Sequence, residues 1–317
     1  MKVAFMGDER EIERVFSQGR RSRIEERAEV LPGVLSANDD FASEVEAIFS
    51  TWGMPLLSEA QLDRMHRLRA VFYAAGAVGY FAPPLVRRRI HISSAWYANA
   101  IPVAEFALSQ ILLSCKQYFA NAREYGGQEA PMSSLARGPG VYGETVALLG
   151  AGAVGTKLIE LLRHFCLKTI VFDPFLTEQR AAELDVRKVS LEAAFGEAYV
   201  VSNHLLDVPE TQGLIDLKLL KSMRQGATLL NTGRGRTLIT NDLIQVLHDR
   251  SDLTSLLDVT DPEPLPSNHP LLSLPNCIVS AHIAGSIGDE VIRLADYAIE
   301  EFDRFRHGKP LLCEVFV

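Results

Sequence analysis

The sequence predicts an α/β chain: two Rossmann-like or flavodoxin-like domains, each a parallel sheet covered by helices, with a cleft between them. Three observations carry this. Short apolar runs alternate with amphipathic segments of helical length along most of the chain, the pattern of strand–helix–strand units. One such run, Val146-Ala147-Leu148-Leu149, passes directly into a glycine-rich turn. At 317 residues and 47% hydrophobic composition, the chain can bury the cores of two ordinary domains.

In the first hundred residues the strand candidates are Val3–Met6, Ala47–Ser50, Ala70–Tyr73 and Ile90–Ser93, with helical patterns such as Ser58–His66 between them. A long apolar helix is expected over Ile101–Phe119, with Pro102 near its first turn, where a missing N–H costs nothing. The segment Glu124–Gly143, rich in Gly, Pro and Ser, reads as an irregular arm. A second alternating series starts at Thr145. Its strand candidates are Thr145–Leu149, Thr169–Phe172, Tyr199–Ser202, Thr228–Asn231, Ser255–Val259 and Ile278–Ser280, the strand count of a complete dinucleotide-binding sheet. A last helix, Ile287–Phe305, follows the sheet and is expected to return to the first domain. Residues 1–98 with 287–317 then form one domain, and residues 99–286 the other.

Bulk properties narrow the function. With 32 Lys and Arg against 40 Asp and Glu, the net charge of −8 disfavours a nucleic-acid partner. The run Arg87-Arg88-Arg89 reads as a solvated helix C-terminus favoured by the helix dipole. Cys115, Cys166, Cys277 and Cys313 form no CxxC pair and read as buried, reduced thiols of a cytoplasmic protein; no metal site is expected. The N-terminus MKVAFMGDE lacks a signal-peptide core, and no apolar stretch is read as reaching membrane-spanning length, so no membrane partner is expected.

The glycine turn is Gly150-Ala151-Gly152-Ala153-Val154-Gly155, a GxGxxG between a strand and a helix. The first glycine allows the tight turn, the second lets backbone approach a pyrophosphate, and the third permits close helix–strand packing. The N–H groups of the helix start, at Ala153 and Val154, then hold the phosphates. The next strand ends at Asp173, 18 residues after Gly155, where a carboxylate takes the ribose hydroxyls and repels a 2′-phosphate. NAD is therefore expected over NADP. Arg180, the nearest arginine after Asp173, is the one route to NADP.

Three polar residues end apolar runs late in the chain: Arg234, Glu263 and His282. A guanidinium grips a carboxylate at two points and polarises the adjacent carbonyl. An imidazole donates a proton to a 2-oxo group and accepts one from a hydroxyl. A carboxylate beside that ring orients it and favours its charged form. Glu263, stiffened between Pro262 and Pro264, competes with Asp261 for that last place. Upstream, Tyr73-Ala74-Ala75-Gly76-Ala77 follows a strand, and the N–H groups of Ala75 and Gly76 are placed to bind a substrate carboxylate. Trp52, in a loop after a strand, either lines the pocket or simply packs.

Five motifs, in order, carry a resemblance: Asn99-Ala100-Ile101-Pro102-Val103-Ala104-Glu105; the GxGxxG with Asp173; Asn231-Thr232-Gly233-Arg234-Gly235; Asp258-Val259-Thr260-Asp261-Pro262-Glu263-Pro264; and His282-Ile283-Ala284-Gly285. The chain after about Ala70 is similar to the D-isomer-specific 2-hydroxyacid dehydrogenases. The resemblance implies NAD-dependent interconversion of a small 2-hydroxy acid and its 2-oxo acid. It favours Glu263 over Asp261 and implies a substrate-binding role for residues 1–98 with 287–317. It places Asp258 against the nicotinamide carboxamide, and His204, Thr232, Gly233 and Gly285 on the cofactor side, with the backbone of His204 mattering more than its ring. It makes Asn99 a substrate-proximal hinge residue, and it implies a homodimer clasped by Ile101–Phe119 and the arm. Three positions depart from the family pattern: Val78 replaces a frequent aspartate, Leu206 a proline, and Thr260 an aromatic residue. A formate-dehydrogenase-like reaction needs no acid–base pair, so Glu263 and His282 argue against it. An NAD-sensing, corepressor-like scaffold with little turnover is the alternative from another class.

Overall fold

Backbone alternation in the first strands sorts side chains onto two faces, and each face finds its own core. The computed structural model describes residues 1–125 and 137–315. It divides into two compact units, Met1–Ala100 with Ser286–Val317, and Ile101–Gly285. In the first unit, strands β1 (Lys2–Met6), β2 (Glu29–Val34), β3 (Ala47–Ser50), β4 (Ala70–Tyr73) and β5 (His91–Ser94) form a wholly parallel sheet in the order β2-β1-β3-β4-β5. Val3, Phe5, Phe49 and Phe72 face the helices Glu9–Val15 and Val291–Arg306, which contribute Ile12, Val15, Leu294, Ile299 and Phe302. Ala4, Met6, Ile48 and Val71 face Leu62, Phe81 and Leu85 on the other side. Phe49, Phe72 and Phe302 pack with centroids 5.1–5.5 Å apart, Phe302 edge-on to the other two; truncating one such ring to Ala costs about 3–5 kcal/mol.

Strand β2 was not expected. It lies on the sheet edge, carries Pro32 and Gly33, and is half exposed, so neither composition nor alternation marks it. The opposite edge, β5, is partly covered by the C-terminal segment: Val315 N–H donates to the Ile92 carbonyl (2.8 Å) and Ser94 N–H to the Cys313 carbonyl (3.2 Å). The buried carboxylate of Glu301 ties that segment down, accepting from Leu312 N (3.0 Å), Cys313 N (3.1 Å) and Ser93 Oγ (3.0 Å).

The second unit holds seven parallel strands: β6 (Thr145–Leu149), β7 (Lys168–Phe172), β8 (Arg187–Lys188), β9 (Val200–Asn203), β10 (Thr228–Asn231), β11 (Thr254–Leu257) and β12 (Cys277–Val279). Their order is β12-β11-β10-β9-β6-β7-β8. Six were expected; the seventh, β8, is two residues long and leaves no pattern. The order turns back between β6 and β9, and at such a switch point an open α/β sheet leaves a crevice at the carboxyl ends of its strands. Ala147, Leu149, Val201, Leu229 and Leu257 build one core layer, and Val146, Leu148, Val200, Leu230 and Leu256 the other.

The long helix differs from expectation. It runs Trp96–Cys115, with Pro102 inside it, and a second helix, Tyr118–Glu124, follows a break at Gln117 with φ 53°. Trp96 and Tyr97 are exposed, so the apolar pattern starts later than the helix does. By length and mean hydropathy of 1.3 this helix could cross a membrane, which corrects the reading that no stretch approaches that length. Half of it is buried, with Ala104, Ala107, Ile111 and Cys115 packed in the second unit's core, as in a core helix. Of the expected arm, residues 126–136 lie outside the described residues. All four cysteines are free; Cys115 and Cys313 are buried, but Cys166, in the turn before β7, is exposed and corrects the reading of four buried thiols.

Candidate active site

Two glycines of the turn have a steric reason. Gly150 has φ 98°, and a Cβ there would sit 3.2 Å from the His204 carbonyl oxygen. A Cβ on Gly155 would lie 2.0 Å from the Gly150 carbonyl oxygen. Around Gly152 there is open space, and no side chain caps the helix Ala153–Leu162 that starts there. Uncapped N–H groups beside an open glycine suit a pyrophosphate. Asp173, at the end of β7, accepts from Ala151 N and Phe175 N, each at 2.7 Å, so this carboxylate also anchors the turn. Arg180 pairs with Glu183 on its own helix (3.0 Å).

His204 is held by its ring as well as by its backbone. Its ring is tied at both nitrogens, Nε2 to Ser202 Oγ (2.8 Å) and Nδ1 to Thr232 Oγ1 (2.9 Å). Burial pushes its pKa down to about 3, so the ring is neutral. Its backbone also matters, since His204 N–H donates to the Leu149 carbonyl (2.9 Å). The ring therefore links the ends of β9 and β10, and the hydroxyls of Ser202 and Thr232 are what hold it.

Arg234 sits between two glycines for packing reasons. A Cβ on Gly233 would lie 2.9 Å from the Leu205 carbonyl oxygen, and one on Gly235 would lie 2.1 Å from that of Thr260. The guanidinium is exposed, and its Nη1 donates to the Gly233 carbonyl (2.7 Å). Thr260, in turn, donates through Oγ1 to the Pro262 carbonyl (2.9 Å).

Glu263 and His282 come together: Glu263 Oε1 lies 2.6 Å from His282 Nδ1, with both side chains about half exposed. Of the two candidate carboxylates, Glu263 meets the ring. The peptide bonds before Pro262 and Pro264 are cis. His282 has φ 53°, an uncommon backbone for a residue with a Cβ. Asp258 holds it there. The Asp258 carbonyl accepts from His282 N (3.0 Å). Its carboxylate, 2% exposed, accepts from Ser280 Oγ (2.6 Å), Ile283 N (2.9 Å) and Ala284 N (2.9 Å). Asp258, read from the resemblance as a nicotinamide neighbour, is thus also the clamp of the histidine loop, and Gly285 follows directly on the clamped Ala284.

In the first unit, Ser94 Oγ donates to the carbonyls of Ala75 (2.9 Å) and Gly76 (2.6 Å), fixing that loop at the end of β4. Asn99 Oδ1 accepts from Ser286 N (2.9 Å), and its Nδ2 faces Gly76. Trp52 packs against both cores of that unit, with Arg14 over its ring at 5.4 Å, which is the packing alternative. Val78 packs against one of those cores, and Leu206 is 73% exposed. Sequence reasoning missed Asn203, Asn231, Thr237 and Ser280. For Asn203, Asn231 and Ser280 the one signal was a polar residue at the end of an apolar strand run; Thr237, in the short helical turn Gly235–Thr237, left none. Among the described residues no group of three or more His, Cys, Asp and Glu is arranged to hold a metal.

Residues 108–284 match the family model described as D-isomer specific 2-hydroxyacid dehydrogenase, NAD binding domain. The chain is 30% identical over 240 residues to an uncharacterised protein in the proB 3′ region of Corynebacterium melassecola, covering 74% of this chain and 78% of that one. It is 33% identical over 179 residues to a glyoxylate reductase of Aeropyrum pernix, covering 56% of this chain and 53% of that one, so the match spans about half of that relative. Its fold is similar to that of apo D-mandelate dehydrogenase from Rhodotorula graminis, with a TM-score of 0.82 at 21% identity, covering 100% of this chain and 97% of the other.

Proposed function

The chain belongs to the D-isomer specific 2-hydroxyacid dehydrogenase family, and from that premise we propose that Arg234, Glu263 and His282 form its catalytic set. The protein is an NAD-dependent oxidoreductase that interconverts a 2-hydroxy acid and its 2-oxo acid. When bound, NAD supplies or takes the hydride; the rest falls to this chain's own residues. The turn Gly150, Gly152 and Gly155, open at Gly152, and the N–H groups of Ala153 and Val154 would hold the pyrophosphate. Asp173 takes the ribose hydroxyls, and Asp258, His204, Thr232, Gly233 and Gly285 border the nicotinamide side.

The observation that carries the catalytic assignment is the 2.6 Å contact between Glu263 Oε1 and His282 Nδ1. With Nδ1 engaged, Nε2 is the nitrogen that exchanges a proton with substrate. In reduction it donates that proton to the 2-oxo oxygen; in oxidation it takes the hydroxyl proton back. Glu263 orients the ring and balances its charge. Arg234 grips the acid's carboxylate at two points. In the first unit, the N–H groups of Ala75 and Gly76 are the proposed further carboxylate contacts, and Asn99 is the substrate-proximal residue of that loop.

The same reading places the protein in the cytoplasm as a homodimer. In support, all four thiols are free, and Leu113, Tyr118 and Tyr125 leave apolar surface exposed along the two helices before residue 126. A monomer by light scattering at micromolar concentration would sink the dimer. The activity is tested with NADH or NADPH against glyoxylate, hydroxypyruvate, pyruvate, 2-oxoisocaproate and phenylglyoxylate. The expected result is loss of reduced-cofactor absorbance with at least one acid and with NADH preferred. No turnover with any of them would overturn the assignment.

A further inference from the structure

At the carboxyl ends of β9 and β10 lies a polar network that no substrate or cofactor role explains. Asn203, Asn231 and Thr237 are 0%, 1% and 0% exposed. Asn203 Nδ2 donates to Asn231 Oδ1 (3.0 Å) and to Thr237 Oγ1 (2.8 Å), while its Oδ1 accepts from Leu205 N (3.1 Å). Asn231 Oδ1 also accepts from Gly233 N (3.1 Å), and Asn231 Nδ2 donates to the Arg234 carbonyl (3.3 Å). Thr237 Oγ1 donates to that same carbonyl (2.7 Å).

The bonds fix one another's direction. A backbone N–H on Asn203 Oδ1 turns the amide so that Nδ2 faces Asn231 and Thr237. Because Asn203 donates into the Thr237 hydroxyl, that hydroxyl's single hydrogen goes to Arg234. The Arg234 carbonyl is thus held by two side chains, Asn231 at the end of β10 and Thr237 in the helical turn Gly235–Thr237. The guanidinium is exposed and bonded to the carbonyl just before it, so its aim depends on where this backbone is held. A two-point grip on a carboxylate depends on that aim.

We propose that Asn203 and Thr237 are positioning residues for Arg234, acting through this buried amide–hydroxyl network; the proposal rests on Arg234 being the carboxylate anchor. Buried amides with every group paired lock one geometry, and a half-paired network does not.

The test compares Thr237→Val, which keeps shape and loses the hydroxyl, with Thr237→Ser, which keeps the hydroxyl, and Asn203→Leu. Thr237→Val should raise KM about tenfold for the 2-oxo acid that the unmodified protein reduces fastest, with kcat and NADH affinity changed less than about threefold. Hydrogen exchange should rise over residues 233–238. Thr237→Ser should bring KM back to within about twofold of the unmodified value. An unchanged KM in Thr237→Val would overturn the proposal. So would a fall in kcat and Tm at constant KM, or a Thr237→Ser protein as impaired as Thr237→Val. If the unmodified protein reduces no 2-oxo acid, it is the functional reading that fails. The exchange measurement then decides whether the network holds the Arg234 turn: a rise supports it, and no change overturns it.

Discussion

Glu263 and His282 stand 19 residues apart in the chain and meet at 2.6 Å, Oε1 to Nδ1. The contact joins the loop after β11 to the loop after β12, two parallel neighbours whose carboxyl ends lie side by side. Glu263→Gln keeps the size of the side chain and removes its charge. It should lower kcat by about ten- to a hundredfold, part of the full effect of a positioned acid–base group, with NADH affinity unchanged. Steady-state kinetics check this; a change of less than about twofold would make the carboxylate a bystander.

Asp258 predicts a different phenotype. Its buried carboxylate accepts three hydrogen bonds, from Ser280 Oγ, Ile283 N and Ala284 N. Asp258→Asn turns an amide N–H₂ toward some of those donors. The cost should be about 2–3 kcal/mol, a fall in Tm of about 5–10 °C, together with loss of turnover as the His282 backbone leaves φ 53°. Differential scanning calorimetry beside activity reads both; a stable, fully active variant would contradict the clamp.

Much of this was legible in the sequence because it rests on strand–turn chemistry. The sheet that carries the site follows from apolar runs closed by polar or turn residues; the GxGxxG and Asp173 directly follow such runs, and Arg234, Glu263 and His282 lie in the loops after β10, β11 and β12. What was not legible lies in tertiary pairing. Nothing local marks β2, an edge strand with Pro32 and Gly33, or the two-residue β8. The helix begins at Trp96 because exposed aromatics join it ahead of the apolar stripe. The ring of His204 matters because Ser202 and Thr232 reach it from two strands, and a single residue's neighbours in sequence do not show that.

Cofactor choice should turn on Asp173. Its carboxylate stands at the end of β7, and Arg180 pairs with Glu183. Asp173→Ala should narrow the preference for NADH over NADPH. It should also weaken both cofactors, because Ala151 N and Phe175 N lose their acceptor. The ratio of kcat/KM for the two cofactors checks this; an unchanged ratio would remove Asp173 from the selection.

Acid stability should show the pair Glu144–Arg224. Burial alone would raise the Glu144 carboxyl, but Arg224 Nη1 at 2.6 Å and Thr145 N at 2.7 Å outweigh it and hold the carboxyl below its ordinary value of 4.5. With the folded value depressed, the stabilisation is present above about pH 4.5 and is lost as pH falls through the folded value. In Glu144→Gln, Tm at neutral pH should fall by about 2 °C and the acid limb of the Tm–pH curve should flatten. A curve parallel to that of the unmodified protein would show that the pair contributes nothing to acid sensitivity.

The measurement that bears most directly on the account is the reduction of a 2-oxo acid by NADH in the unmodified protein and in His282→Asn, side by side with NADH affinity by fluorescence. Asparagine retains a polar group and carries no exchangeable acid. The unmodified protein should oxidise NADH with the acid, while His282→Asn should bind NADH equally well and lose about a hundredfold or more of the rate. Comparable turnover by both proteins would contradict His282 as the proton donor and with it the proposed chemistry of this site.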